Sequence, residues 1–449
     1  MKFIQMKAIT TLLFFCATFN LYAQTTRDSL LKDYGLLLGN YSVYKLGNTQ
    51  LTPTPDGYEP FYISHYARHG SRFLISNKTY HTIIPFMEKA DSANQLTPLG
   101  KIMLVRLRRA YAYSKGKSGE LSPLGGIQHE HIARRMYENY PEIFQTGNTI
   151  TAYASYVDRS TKSMNHFCDV IRHLNKNLDI KEYNGNEYSY FIRPNHDSIA
   201  YTPEQKAFKE RIEDVEDSLR KSVNISSLLF KDPSYVTKNK QKHYSIAYYF
   251  FDAYKSSKSM PEADYGFNLF TEDQLFTYFK WTNINWMERS YLIPGEPPFY
   301  KRAYATLRNM ISLADEAISQ NKGGATLRFG HDTFLMPLAY VMGLDGCTNF
   351  PAEASKWEDF YKHFVSSEVV PMAGNIQMVF YKPKKGTDFL VKILLQEKET
   401  HIPVKTDMWP YYHWNDVREY YLNYMNKINP IEYVKKGKHS KTREDEINT

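Results

Sequence analysis

The sequence predicts an α/β protein: a three-layer core around a central, mainly parallel sheet, with an inserted, mainly helical cap. Three observations lead there. An apolar, strand-like run, Phe61-Tyr62-Ile63-Ser64-His65, opens into Tyr66-Ala67-Arg68-His69-Gly70-Ser71-Arg72, where a glycine lets the backbone turn sharply. A second such run, Ala325-Thr326-Leu327-Arg328-Phe329, opens into Gly330-His331-Asp332-Thr333 and then a helical pattern. Strand, polar loop and helix in that order bring ligands to the carboxyl edge of an open α/β sheet, so the two loops are expected to share one crevice. Thirdly, residues near 170–300 change character. They are rich in Lys, Asn, Tyr and Phe, with helical patches at 203–221 and 244–255.

The remaining elements follow in chain order. Residues 1–23 carry Lys2 and Lys7, then an apolar stretch at 8–19, then Leu21-Tyr22-Ala23. This reads as a secretory signal peptide cut after Ala23, too short to span a bilayer, which would send the mature chain to the periplasm or outside the cell. Cys16 offers a lipoprotein alternative, disfavoured because Phe14 and Phe15 sit where small residues are wanted. Segment 24–48 is partly helical. Thr52-Pro53-Thr54-Pro55-Asp56-Gly57 is a turn before the first strand. Leu96-Thr97-Pro98-Leu99-Gly100 and Leu121-Ser122-Pro123-Leu124-Gly125 each open a helix, with Thr or Ser as cap and Pro in the first turn. Residues 149–156 alternate like a strand and lead to Asp158-Arg159-Ser160-Thr161. Pro294, Gly295, Pro297 and Pro298 mark the return to the core, followed by a helix at 300–320 and a hairpin at 375–381 and 387–395. The expected division is core at 24–170 and 300–434, cap at 171–299, and a charged, disordered tail at 435–449.

Composition narrows the class. With 42% hydrophobic and 23% charged residues, the chain is that of a soluble globular protein, and no further stretch reads as a transmembrane helix. The net charge of +8 falls to +6 without Lys2 and Lys7, since residues 1–23 hold no acid. A mildly basic chain favours anionic partners. Nucleic acid is not expected as one, because no zinc-finger or Walker-type motif is present. Beyond the leader there are two cysteines, Cys168 and Cys347, either one disulfide or two buried thiols. Nothing in the sequence sets the oligomeric state.

The first loop carries the chemistry. Two guanidinium groups, Arg68 and Arg72, flank one imidazole, His69. Arginine donates bidentately to oxyanions and stays charged, so the loop suits a dianion with a nucleophile at its centre. The chain has 14 histidines, most of them ordinary, and it is the flanking arginines that single out His69.

The pair Arg68-His69-Gly70-x-Arg72 and, late in the chain, His331-Asp332 resembles the histidine phosphatase superfamily, specifically its histidine acid phosphatase branch of phytases and multiple inositol-polyphosphate phosphatases. Leu-Thr-Pro-Leu-Gly, as at 96–100, also recurs in that branch. With the leader, the resemblance implies an exported phosphomonoesterase acting through phosphohistidine on a phosphorylated small molecule; no cofactor or metal is expected. It implies His69 as nucleophile, Arg68, Arg72 and Arg159 as the phosphoryl grip, His331 as a donor to a phosphoryl oxygen, and Asp332 as acid and then base. Inositol polyphosphates such as phytate are the expected substrates. The alternatives are a broad acid phosphatase on sugar phosphates or nucleotides, and a phosphate-binding pseudoenzyme. Two departures stand out. Leu74 takes the place where many members have proline, and His331-Asp332-Thr333 stands where the inositol-polyphosphate branch often has His-Ala-Glu.

Other clusters read as structural. His129-Glu130-His131 has metal-ligand residue types, but positions two apart on a helix do not face one another. Arg106, Arg108, Arg109, Arg134 and Arg135 read as solvated helix faces. Tyr248, Tyr249, Phe250 and Phe251 read as cap core.

Overall fold

The computed structural model describes residues 25–428, apart from 46, 48, 195–201, 261–268, 290–300, 349 and 352. The expected leader, the Pro-rich return at 292–299 and the charged tail lie outside the described residues.

Eight strands form one mixed sheet in the order β3-β2-β4-β1-β5-β6-β7, with β8 (Tyr411–His413) on β6. The central pair is β1 (Tyr58–Arg68) and β4 (Gly324–Gly330), which run parallel. β2 (Thr149–Ala154) and β3 (Asp179–Asn184) continue the parallel half. On the other side β5 (Asn375–Pro383), β6 (Leu390–Leu395) and β7 (Lys398–Glu399) are antiparallel, so the expected hairpin is present. β4 is buried along its whole length and β1 from Pro60 onward, which is why both read as apolar runs rather than alternating ones. The register sets Arg68 opposite Gly330. Residues 69 and 331 therefore leave the same edge of the sheet side by side.

Helices cover both faces. Even-numbered side chains of β1, Tyr62 and Tyr66, join α12 (Lys301–Ser319), α13 (Asp332–Val341) and α14 (Trp414–Ile428) in one core cluster. Odd-numbered Ile63 and Ala67 join α4 (Pro123–Asn139) and α5 (Asp158–Leu174) in another. Cys168 lies in the second cluster and Cys347 in the first, both free and buried, so the sheet separates them.

A third cluster is wholly helical. It joins α2 (Lys78–Ser92) and α3 (Pro98–Ser114) to α10 (His243–Ser257) and α11 (Glu272–Arg289), with α1 (Arg27–Leu31) at its rim. Phe250 and Phe251 lie at its centre, as expected for cap core. Short α8 (Ser226–Leu229) and α9 (Ser234–Lys238) close this unit, and α7 (Pro203–Ser222) packs against α11. In space the elements group differently from their order along the chain. β3 falls within 171–299 yet forms the edge of the sheet, and α6 (Ser189–Ile192) docks against α12. Conversely, α2 and α3 fall within 24–170 yet complete the helical unit. A helix bundle buries whichever apolar faces it meets, regardless of chain order.

One surface assignment is corrected. Arg135 is buried, and its Nε and Nη2 donate to Glu397 at 3.0 and 2.6 Å. Tyr44 donates its hydroxyl to the same carboxylate at 2.8 Å. Among the described residues no helix is long and apolar enough to cross a membrane.

Candidate active site

β1 and β4 deliver their loops to one place. His69 N–H donates to the Gly330 carbonyl at 2.9 Å, and the rings of His69 and His331 are 5.5 Å apart between centroids. Arg68 Nη2 lies 2.9 Å from Asp332 Oδ2, an ion pair without hydrogen-bond alignment. Arg159 stands in the first turn of α5. After burial, its charge is the strongest influence on both imidazoles. The six residues singled out from sequence thus gather at the carboxyl edge of the sheet.

The protonation states follow from the surroundings. His69 Nδ1 is 2.8 Å from the Gly70 carbonyl. A carbonyl only accepts, so Nδ1 carries the proton and Nε2 keeps its lone pair. Burial, then Arg159, Arg68, His331 and Arg72, hold the His69 pKa well below the usual imidazole value. Burial, then Arg159, Arg193, Arg68 and Arg72, do the same for His331, whose Nε2 is 3.0 Å from Ser155 Oγ. Burial alone would raise the Asp332 pKa. Arg68, Asn40, Arg72 and the Thr333 amide outweigh it and keep the carboxyl below its usual range. Asn40 Nδ2 donates to Asp332 Oδ2 at 3.1 Å and the Thr333 amide to Oδ1 at 2.9 Å.

The guanidiniums are only partly satisfied. Arg68 Nη1 donates to the carbonyls of Asn40 and Val370, both at 2.6 Å, and burial pulls its pKa down to about 10. Arg72 Nη1 donates to the Tyr41 hydroxyl at 2.8 Å and the Phe73 carbonyl at 3.0 Å. Arg68 Nε and Nη2 and Arg72 Nε are buried donors with no hydrogen-bond partner. Leaving such donors unmet is costly unless a ligand accepts from them.

Asn40, Tyr41, Ser155 and Gln128 belong to this site and escaped the sequence reading. Asn40 and Tyr41 end a 3₁₀ segment, Leu36–Tyr41, that carries no motif. Ser155 was findable, because it directly follows β2 at the ligand-binding edge. His129 is buried, Glu130 pairs with His166 at 2.8 Å, and no group of three metal-ligating side chains occurs among the described residues. A cavity of about 490 Å³ lies elsewhere, bordered by Lys45, Asp345 and Glu368, and none of the six residues lines it.

No family model matches the sequence, and no curated protein matches it. Solved structures do. The multiple inositol polyphosphate phosphatase of Bifidobacterium longum in complex with inositol hexasulfate is 20% identical, with a TM-score of 0.68 over 86% of this chain and 97% of its own. The same protein in complex with phosphate is 19% identical, with a TM-score of 0.67 over 86% and 97%. The phytase from D. castellii is 15% identical, with a TM-score of 0.65 over 88% and 85%. At this identity the likeness speaks to architecture. The chain has the α/β fold of the multiple inositol polyphosphate phosphatase and phytase structures, the fold that its Arg-His-Gly and His-Asp motifs led us to expect.

Proposed function

We propose that the chain is an exported phosphomonoesterase that passes a phosphoryl group through His69 to water, with inositol polyphosphates such as phytate as its substrates. One observation carries this reading. A neutral imidazole with a free Nε2 sits among buried guanidinium donors that lack acceptors, beside a carboxylate. Three equatorial phosphoryl oxygens would supply the missing acceptors, and dispersed cationic donors are what phosphoryl transfer needs.

In the first step His69 Nε2 attacks phosphorus, the ester P–O bond breaks, and the departing oxygen takes a proton from Asp332. In the second, Asp332 as carboxylate takes a proton from water. The water oxygen attacks phosphorus, the P–N bond breaks, and inorganic phosphate leaves. Arg68, Arg72 and Arg159 hold the transferred group, and His331 donates to one of its oxygens. Asp332 rests as a carboxylate beside Arg68. A bound phosphate adds negative charge and draws on the same guanidinium, so its arrival raises the Asp332 pKa and readies it as an acid.

The neighbours' ligands, inositol hexasulfate and phosphate, support this substrate class. The test is release of phosphate from p-nitrophenyl phosphate. His69→Ala is expected to lower kcat by on the order of 10⁴-fold or more with the fold intact. Undiminished turnover in that variant would overturn the nucleophile. Phosphate binding without any turnover by the natural chain would mark a pseudoenzyme. Kinetics on phytate beside glucose phosphate test the substrate, and equal or poorer turnover of phytate points to a broad acid phosphatase. Export is checked by N-terminal sequencing, with Gln24 expected as the first residue of the exported protein.

A further inference from the structure

Behind the nucleophile, the next two backbone amides are each held by a side chain. Gly70 N–H donates to Ser163 Oγ at 3.1 Å, and Ser71 N–H donates to Gln128 Oε1 at 2.8 Å. Ser71 N–H and the Gly70 carbonyl belong to one planar trans peptide and point opposite ways. That carbonyl is also the acceptor for His69 Nδ1–H. A single peptide plane therefore carries the contact that orients the nucleophile on one side and Gln128 on the other.

We infer that Gln128 is a positioning residue that fixes the Gly70–Ser71 peptide and, through it, the tautomer and orientation of His69. The packing is built for this contact. Gln128 is fully buried, and Gly125, one turn earlier on the same face of α4, lies against the loop. A Cβ on Gly125 would come 2.2 Å from the Ser71 carbonyl, and one on Gly70 would come 2.2 Å from that of Gly125. Neither glycine can gain a side chain without pushing the helix, and Gln128 with it, off the loop. Ser122 N–H adds a bond to the Ser71 carbonyl at 2.8 Å. Glutamine supplies an acceptor without charge, so it leaves undisturbed the field that Arg68, Arg72, Arg159 and His331 set around His69.

Without that acceptor the Ser71 amide is buried and unmet, and glycine at 70 offers little steric resistance to a peptide flip. Once flipped, the carbonyl leaves Nδ1. The imidazole can then move its proton to Nε2, which removes the attacking lone pair.

The inference rests on His69 as nucleophile, so His69→Ala and the natural chain belong in the same series. No turnover by the natural chain sinks the phosphatase reading. The positioning role is then still read from the ¹⁵N shifts of the His69 ring, where Nδ1–H is expected in the natural chain and a tautomer mixture in Q128M. With turnover present, folded Q128M is expected to lose about 10- to 100-fold in kcat with KM within about threefold. A folded Q128M with natural kcat and an unchanged Nδ1–H signal overturns the inference. Should Q128M fail to fold, Q128N, which draws the acceptor back by one methylene, decides: a loss of kcat of about tenfold or more with a tautomer mixture at His69 supports the role, and natural kcat with an unchanged Nδ1–H signal overturns it.

Discussion

Two buried ionic clusters in this molecule have opposite characters. On the antiparallel side, Arg135 meets Glu397 through two hydrogen bonds and Tyr44 adds a third, so the carboxylate and guanidinium are matched. At the end of β1 and β4, Arg68 reaches Asp332 without alignment, and Arg72 is met by a phenol and a carbonyl rather than a carboxylate. Desolvating a charge is repaid when partners saturate it, as at Arg135. It is not repaid at Arg68 and Arg72, whose buried donors await an acceptor. A matched cluster holds the fold, and on the proposed reading the unmatched one takes an anion.

Substitutions in the two clusters should therefore separate activity from stability. Arg68→Met is expected to lower kcat by about 10²- to 10³-fold, through loss of donors to the transferred group. Arg135→Met should leave kcat within twofold but cost about 3 kcal/mol in urea unfolding, because Glu397 stays buried without a cation, with only the Tyr44 hydroxyl against it. Adding Glu397→Gln should recover part of that loss. Equal losses of activity from both arginine variants would break the contrast.

Acid stability sharpens it further. His65 of β1 and His129 of α4 are buried, and burial pushes each pKa down to about 3. The unfolded chain binds their protons first, near pH 6.5. Their contribution is complete above that pH and is lost as pH falls from 6.5 toward 3, at about 1.4 kcal/mol per unit for each ring. His129→Leu should flatten this acid limb in denaturation measured against pH, and an unchanged slope would contradict the assignment. At the site itself, the alkaline limb of kcat should lie at higher pH than that of kcat/KM, since bound substrate raises the Asp332 pKa above its free-enzyme value.

The smallest effect is expected at Tyr41. Its ring centroid is 4.9 Å from the Arg72 guanidinium and 4.8 Å from the Lys255 ammonium of α10, which links the helical unit to the pocket. Tyr41→Phe removes one hydrogen bond and keeps the ring, so KM should rise about two- to fivefold with kcat little changed.

The parts of this architecture that were legible in the sequence are those written locally. Both loops were visible because each follows a strand buried on both faces and holds rare residue combinations in consecutive positions. Thr97 and Ser122 announced their helices because a cap and a proline act within one turn; each accepts from the amide three residues on. What stayed hidden was long-range. Asn40 reaches Asp332 across 292 positions, and Arg135 reaches Glu397 across 262. No periodicity records such a meeting. Arg135 was misread as solvated because Arg134 beside it on the same helix is exposed, and only the position of Glu397 reveals the difference. The place of β3 in the sheet was likewise hidden, since an edge strand with mostly exposed side chains carries little apolar signal.

The central claim is a phosphoryl group carried on His69, and trapping it tests that claim most directly. Asp332→Asn cannot activate water and should let the intermediate accumulate. This variant, mixed with p-nitrophenyl phosphate and quenched in alkali, where phosphohistidine survives, should yield a phosphorylated peptide whose modification maps to His69. Release of p-nitrophenol with no phosphoryl group on His69 at any time would contradict the account.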